Sequence, residues 1–203
     1  PLALNERGDI VGWSRTASGA VHAFLWTERD GMRDLGTGDG LGSVAVAVGE
    51  DGSIVGRTAS LASPVPADGR ILRRPAGPFL VVPPNSLGER RGARGGLLEG
   101  VPVAREYRAA AWFSGRGPRG LGALGGSAGT ANAVGPAGHV VGLAETRPGQ
   151  MHAFVWTPGR GMMDLGTLGG DGSGAVAVNE TGQIVGWSRT ASGRTHAVLW
   201  ELR

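Results

Sequence analysis

The stretch "NERGDIVGWSRTASGAVHAFLW" at residues 5–26 recurs as "NETGQIVGWSRTASGRTHAVLW" at residues 179–200. Two nearly identical segments so far apart in one chain indicate an architecture built from repeats. The mark "IVG" inside this stretch, two apolar residues followed by glycine, returns at intervals of 44, 44, 42 and 44 residues. The glycines of the mark are Gly12, Gly56, Gly100, Gly142 and Gly186. The sequence therefore predicts five repeat units.

Each unit contains short apolar runs separated by Gly, Asn or Ser. In the first unit, "HAFLW" at residues 22–26 is followed by "DLGT" at residues 34–37. Such runs are too short for helices and are typical of strands. Both faces of each run are mostly apolar, so we expect every sheet to be buried between two others. Four strands in each of five units of about 44 residues predict an all-β fold, a five-bladed β-propeller.

The chain is expected to form one propeller domain over residues 1–203. Its predicted units are residues 1–37, 38–84, 85–125, 126–169 and 170–203. Unit 2 is irregular, and we align "GRILR" from Gly69 with its third strand and "PFLVVP" from Pro78 with its fourth. The runs number 19, so either the two termini share one blade or one blade has three strands. An open β-solenoid or a truncated array is the competing architecture.

The repeated motifs resemble a known family. "IVGWSRTASGAVHAFLW" at residues 10–26 and "DLGTLGG" at residues 164–170 are similar to the HAF repeat, named for its His-Ala-Phe triplet. The resemblance is strong in units 1, 4 and 5, moderate in unit 3 and weak in unit 2. It implies a blade-like β repeat in a secreted protein, and hence an extracellular or cell-surface location. It implies no catalytic residues.

Composition excludes several classes of protein. The chain has no cysteine, which removes disulfides and thiolate chemistry, and it has no apolar run long enough to span a membrane. All 20 basic residues are arginine, and residues 57–119 hold 11 of them against 4 acidic residues. Nucleic-acid binding is disfavoured, because this basic region lacks a regular set of interleaved aromatic residues.

Three histidines occupy one column of the repeat: His22, His152 and His196. Residues of one column lie around a ring and do not converge, so we predict that each histidine forms a hydrogen bond within its own blade. The expected partners are Asp34 or Asp164 of the "DLGT" motifs, or a hydroxyl such as that of Ser14 or Ser188, since buried polar groups need such partners. No metal or other cofactor is expected.

Departures from the repeat are the candidates for function, because a broken local rule needs a compensating reason. Glu99 stands in a column that is otherwise valine, and Arg57 and Arg73 stand where other units have tryptophan. A lone buried carboxylate must be paired, protonated or open to a cleft. The candidate acid–base residues are Glu99 and Glu106. The candidate ligand-binding residues are Arg57, Arg73, Arg105, Tyr107 and Arg108.

These residues leave several functions open. The first is a secreted or surface-associated binding module for a glycan, an anionic ligand or a protein, since guanidinium groups hold anions through paired hydrogen bonds. The second is a cofactor-independent enzyme of the lyase, isomerase or cyclase type, with a small-molecule pocket in units 2 and 3. The third is a structural spacer, in which the charged residues are decayed repeats exposed to solvent. The chain is expected to be a monomer.

Overall fold

A computed structural model describes residues 1–61, 105–113 and 117–202 of the chain. These residues form 15 β-strands and no helix, so the predicted all-β class is confirmed. Accordingly, this described part of the chain offers no helix with the length and apolar character needed to cross a membrane.

The strands are arranged in four units, here called sheets 1 to 4, in the order of the chain. Sheet 1 contains β1 (Ala3–Leu4), β2 (Ile10–Arg15), β3 (Val21–Thr27) and β4 (Gly31–Asp34). Sheet 2 contains β5 (Gly42–Val48), β6 (Ile54–Leu61), β7 (Arg105–Trp112) and β8 (Arg119–Gly120). Sheet 3 contains β9 (Gly125–Val134), β10 (Val140–Thr146), β11 (Met151–Thr157) and β12 (Gly161–Asp164). Sheet 4 contains β13 (Gly169–Val178), β14 (Gln183–Thr190) and β15 (Thr195–Glu201).

Neighbouring strands within each sheet are antiparallel and follow chain order. Sheets 3 and 4 have the same internal pairing, and a single parallel pair, Met151 with Gly172, joins them into one continuous seven-stranded sheet. The repeat seen in the sequence is therefore a repeated antiparallel sheet.

The "TASG" segment of the repeat forms the turn between β2 and β3. The Gly19 N–H donates to the carbonyl oxygen of Thr16 at 2.9 Å. Gly19 has a φ of +82°, a conformation that glycine adopts without steric cost. The corresponding turns of sheets 3 and 4 end in the same way at Gly149 and Gly193.

The glycine of the "IVG" mark is required by a close approach of the preceding strand. β5 shifts its register beside Gly56, as expected of a β-bulge. A side chain on Gly56 would collide with the carbonyl oxygen of Val44. The equivalent glycines of sheets 3 and 4, Gly142 and Gly186, make the same approach to β9 and β13. The most regular mark in the sequence thus records backbone contact rather than chemistry.

Side chains alternate along each strand, so each sheet has two faces. We call them the Val face and the Trp face. The Val faces carry Val11, Val55, Val141 and Val185. The Trp faces carry Trp26, Trp112, Trp156 and Trp200.

The Val face of each sheet packs against the Trp face of the next. At the first interface, Val11 and Ala23 form one buried cluster with Ile54 and Trp112. The same columns meet at the second interface, which contains Val55, Ala109, Ala111, Val140 and Trp156. They meet again at the third, which contains Val141, Ala153, Val155, Ala175 and Ile184. Burial on both faces explains why the strands read as apolar runs.

Tryptophan also ties one sheet to the next through its indole N–H. Trp112 Nε1 of sheet 2 donates to the carbonyl oxygen of Leu35, which follows sheet 1, at 2.9 Å. Trp200 Nε1 of sheet 4 donates to Leu165 O, which follows sheet 3, at 3.0 Å. The leucine of the "DLGT" motif therefore supplies an acceptor that the next sheet uses.

Sheet 2 is built from strands that the sequence analysis assigned to two different units. β6 pairs with β7 from Ile54 with Trp112 to Leu61 with Arg105, so this sheet combines residues assigned to units 2 and 3. The alignment predicts "GRILR" from Gly69 beside β6, but β7 occupies that place. The stretches from Gly69 and Pro78 themselves lie outside the described residues.

A closed ring is not formed by the part of the chain that the structure describes. Its strands give four sheets that stack in sequence, and sheets 1 and 4 form no packed interface with each other. The count of five blades and the predicted unit boundaries remain predictions.

Candidate functional site

Sheet 2 carries the candidate residues that the structure describes. Arg57 lies in β6 at the column of Trp13 and Trp187, on the Val face. Tyr107 lies in β7 and pairs with Ala59, two residues beyond Arg57, so its side chain is on the same face. Arg57, which stands where sheets 1 and 4 have tryptophan, therefore lies at the interface between sheets 2 and 3.

Arg57 and Tyr107 are brought together. The guanidinium carbon of Arg57 lies 5.0 Å from the centre of the Tyr107 ring, within the range of a cation–π contact. Arg57 is half-buried, and Tyr107 is exposed at the edge. The aromatic ring thus contacts the guanidinium on one side.

Arg57 lacks a full set of hydrogen-bond partners. Its Nε is buried and has no acceptor among the described residues. Burial lowers the pKa of the Arg57 guanidinium, and the neighbouring Tyr107 partly opposes this change. An arginine remains charged at neutral pH, so the site contains an oriented, partly desolvated cation.

A second polar pair lies on the opposite face of the same strands. Ser60 pairs directly with Glu106, and both belong to the Trp face, which is directed toward sheet 1. Ser60 Oγ and Glu106 Oε2 are buried and without partners among the described residues. Arg57 and Glu106 therefore lie on opposite sides of sheet 2 and do not converge on one point.

The remaining candidates are placed as follows. Arg108 is exposed in β7 and pairs with Thr58, and Arg105 begins β7 opposite Leu61. Glu99 and Arg73 lie outside the described residues. Of the predicted site residues, the structure therefore brings Arg57 and Tyr107 together and places Glu106 on the opposite face of sheet 2.

The histidine column forms the predicted hydrogen bonds in sheets 1 and 3. His22 Nδ1 lies 2.7 Å from Asp34 Oδ2, and His152 Nδ1 lies 2.8 Å from Asp164 Oδ2. His196 is exposed in β15. The structural interpretation of the first two histidines is therefore confirmed.

Each of these pairs belongs to a larger network that crosses to the next sheet. Asp34 Oδ1 accepts from the Gly36 N–H at 2.7 Å, which fixes the turn after β4. Ser43 of sheet 2 donates to Gly36 O at 2.7 Å and accepts from the Ala23 N–H at 2.8 Å. Sheet 3 repeats the network with Asp164, Gly166, Ser173 and Ala153.

Among the described residues, the interface between sheets 2 and 3 has no such network. Sheet 2 has Arg108 and Gly120 at the histidine and aspartate columns, and sheet 3 has Gly129 at the serine column. The three positions change together, which indicates that they act as one structural unit. The networks link neighbouring sheets through hydrogen bonds.

Sequence reasoning missed two groups of serines: Ser43 and Ser173 of the hydrogen-bond networks, and Ser60 beside Glu106. Ser43 and Ser173 were detectable in principle, because the "GS" pair recurs just before the alternating run of β5 and β13. Ser60 carried no such signal, since only the pairing of β6 with β7 places it beside Glu106.

Two further features bear on possible chemistry. Ser14, His22, Phe24, Met32 and Asp34 help to line a hollow of about 230 Å³ on the Trp face of sheet 1. Among the described residues, no group of three His, Cys, Asp or Glu side chains is placed to hold a metal ion.

A comparison of the chain with protein-family models, with curated proteins and with solved structures finds no match.

Proposed function

We propose that this chain is a binding module that captures an anionic ligand between sheets 2 and 3. The observation that carries the proposal is Arg57, a half-buried guanidinium held by Tyr107 with its buried Nε free of described partners. A carboxylate or sulfate would restore the missing hydrogen bonds and neutralise the charge. Charge-assisted pairs of this kind are roughly twice as strong as neutral ones.

The repeat itself supports a functional role for Arg57. Trp13 and Trp187 occupy the same column in sheets 1 and 4, and Leu143 occupies it in sheet 3. An apolar residue therefore satisfies this position structurally, and a buried cation costs solvation energy. Arginine at this column is better explained by a ligand than by packing.

The enzyme reading has less support. It needs an acid–base group next to the bound anion, and Glu106 is the described candidate. Because Glu106 lies on the Trp face and Arg57 on the Val face, a ligand on Arg57 is separated from the carboxylate by the sheet. A binding module needs only one of the two faces.

The wider context of the proposal comes from the sequence. Secretion or surface attachment is proposed on the resemblance to the HAF repeat alone. We further propose that the four sheets are blades of the propeller type, supported by their stacking in chain order. A ring of five requires a fifth sheet against both outer faces.

The binding proposal is tested with heparin oligosaccharides and their desulfated forms as probes, by calorimetry at physiological ionic strength. The chain should bind only the sulfated form, with an affinity that falls as salt is raised. Arg57→Trp places the residue of sheets 1 and 4 at this column, so it should keep the fold and weaken binding at least about tenfold, equivalent to roughly 1.4 kcal/mol.

Arg160→Gln is the matched control, because it removes one exposed arginine in the turn before β12. It should change the affinity less than about twofold, since exposed charges are screened over roughly 8–10 Å. Equal losses in Arg57→Trp and Arg160→Gln would show that binding depends on net charge and not on the Arg57 site.

A further inference from the structure

Within the part of the chain that the structure describes, no strand packs on the Val face of sheet 4. Val185 and Leu199 are 47 and 55% exposed, whereas the equivalent Val141 and Val155 of sheet 3 are 0 and 1% exposed. The chemistry of these positions is the same in both sheets. Sheet 4 therefore carries a surface of the kind that the preceding sheets bury.

At the other end of the array, no sheet formed by the described residues packs on the Trp face of sheet 1. Ile10 and Trp26 are only partly buried, whereas their equivalents Ile54 and Trp112 in sheet 2 are each 2% exposed. The hollow beside His22 opens on this same face. The exposed apolar side chains around it include Leu4 and Met32.

The two uncovered faces match each other. Each of the three interfaces among the described residues joins a Val face to a Trp face, and the four sheets leave one face of each kind without a partner sheet. The match is apolar and does not depend on charge, because Arg189 and Asp34 at these margins are already paired, with Asp171 and His22 respectively.

We propose that the Val face of sheet 4 binds the Trp face of sheet 1 of a second copy of this chain. The contact repeats the packing of sheets 1 on 2, 2 on 3 and 3 on 4, with Val185 and Leu199 against Ile10 and Trp26 of the other copy. No additional sheet is needed, because each copy presents both surfaces. This binding is independent of any ligand at Arg57.

Such a contact is heterologous, since the two copies use different surfaces. Heterologous contacts produce a closed ring where the rotation between copies closes, and a filament where it does not. The sequence analysis predicted a monomer, whereas this contact would assemble copies from head to tail.

Sedimentation velocity over a range of protein concentrations tests the proposal. The unaltered chain should form dimers or larger species as concentration rises. Leu199→Arg should block the face of sheet 4, and Ile10→Arg should block the face of sheet 1. Each variant alone should remain monomeric at concentrations where the unaltered chain assembles, while an equimolar mixture should stop at a dimer, because one intact face of each kind remains.

Leu41→Glu is the matched control. Leu41 is 45% exposed but lies between β4 and β5, away from both outer faces. This variant should assemble like the unaltered chain, and circular dichroism should show native strand content in all three variants. A monomeric unaltered chain at every concentration would overturn the proposal and favour closure within one chain. Assembly that survives both arginine substitutions would also overturn it, as would a mixture that remains monomeric.

Discussion

Asp34 connects two strands of sheet 1 and the turn that follows them. Partial burial acts to raise the pKa of this carboxyl group, but the Gly36 N–H and the His22 ring outweigh it, so the pKa is lowered from its ordinary value of 3.8. The charged form is therefore favoured in the folded protein. By linkage, the stabilisation is complete above pH 3.8 and is lost as the pH falls through the lower folded value.

We predict that Asp34→Asn reduces the loss of stability in acid. The free energy of unfolding, measured with urea from pH 5 to pH 2, should fall less steeply in this variant than in the unaltered chain. Glu28→Gln is the control, because Glu28 is exposed and has no described hydrogen bond. Identical slopes for Asp34→Asn and the unaltered chain would refute the role assigned to Asp34.

Contacts were easier to predict for residues that recur in every unit than for residues that depart from the repeat. Two motifs at fixed spacing in one unit made Asp34 one of the partners predicted for His22, and the structure shows this contact. The surroundings of Arg57 did not follow, because the sequence does not show that Tyr107 comes to lie beside it. A column predicts a partner only where the partner belongs to the same local hairpin.

At the scale of the element, the "IVG" glycine sets how closely two strands approach. Gly142→Ala should destabilise the protein by roughly 1–3 kcal/mol, the usual cost of forcing extra atoms into a packed core. The added methyl group would meet the Thr130 carbonyl oxygen and the Phe154 ring. Chemical denaturation measures the difference.

Gly120→Ala provides the comparison for this substitution. Gly120 also lies in a strand, but a methyl group there would meet nothing within 4 Å. It should change stability by less than about 0.5 kcal/mol, as surface substitutions generally do. If the two alanine variants were equally stable, the close approach at Gly142 would not be what requires glycine.

Strand type was predictable from the sequence, whereas strand pairing was predicted wrongly beside β6. Trp112 lies 44 residues before Trp156, as the period requires, and this spacing placed it in a separate unit. The pairing of Ile54 with Trp112 nevertheless reproduces that of Ile10 with Trp26. Periodicity gives the identity of a column but not which neighbouring strand completes the sheet.

The whole molecule is an array in which every sheet uses its two faces differently. The sequence showed that both faces are apolar, which predicted stacked sheets, and the three buried interfaces bear this out. It did not show whether the stack closes, because closure depends on the angle between sheets and on how many there are. Apolar patterning looks the same in a ring and in an open array.

The candidate site depends on one feature of this array, the pairing of β6 with β7 in sheet 2. Cysteine substitutions can test it cleanly, because the chain has no cysteine of its own. Thr58 and Arg108 are direct partners, and such partners have Cα atoms about 4.5–5.5 Å apart, within the range of a disulfide. Thr58 and Glu106 are offset by two residues, at about 7–8 Å, which is too far.

The decisive measurement is the yield of intramolecular disulfide after mild oxidation, determined by peptide mass spectrometry. The structure predicts that Thr58→Cys with Arg108→Cys forms the crosslink nearly completely, and that Thr58→Cys with Glu106→Cys forms little of it. No crosslink in the first variant, or equal yields in both, would contradict the pairing and with it the placement of Arg57 beside Tyr107.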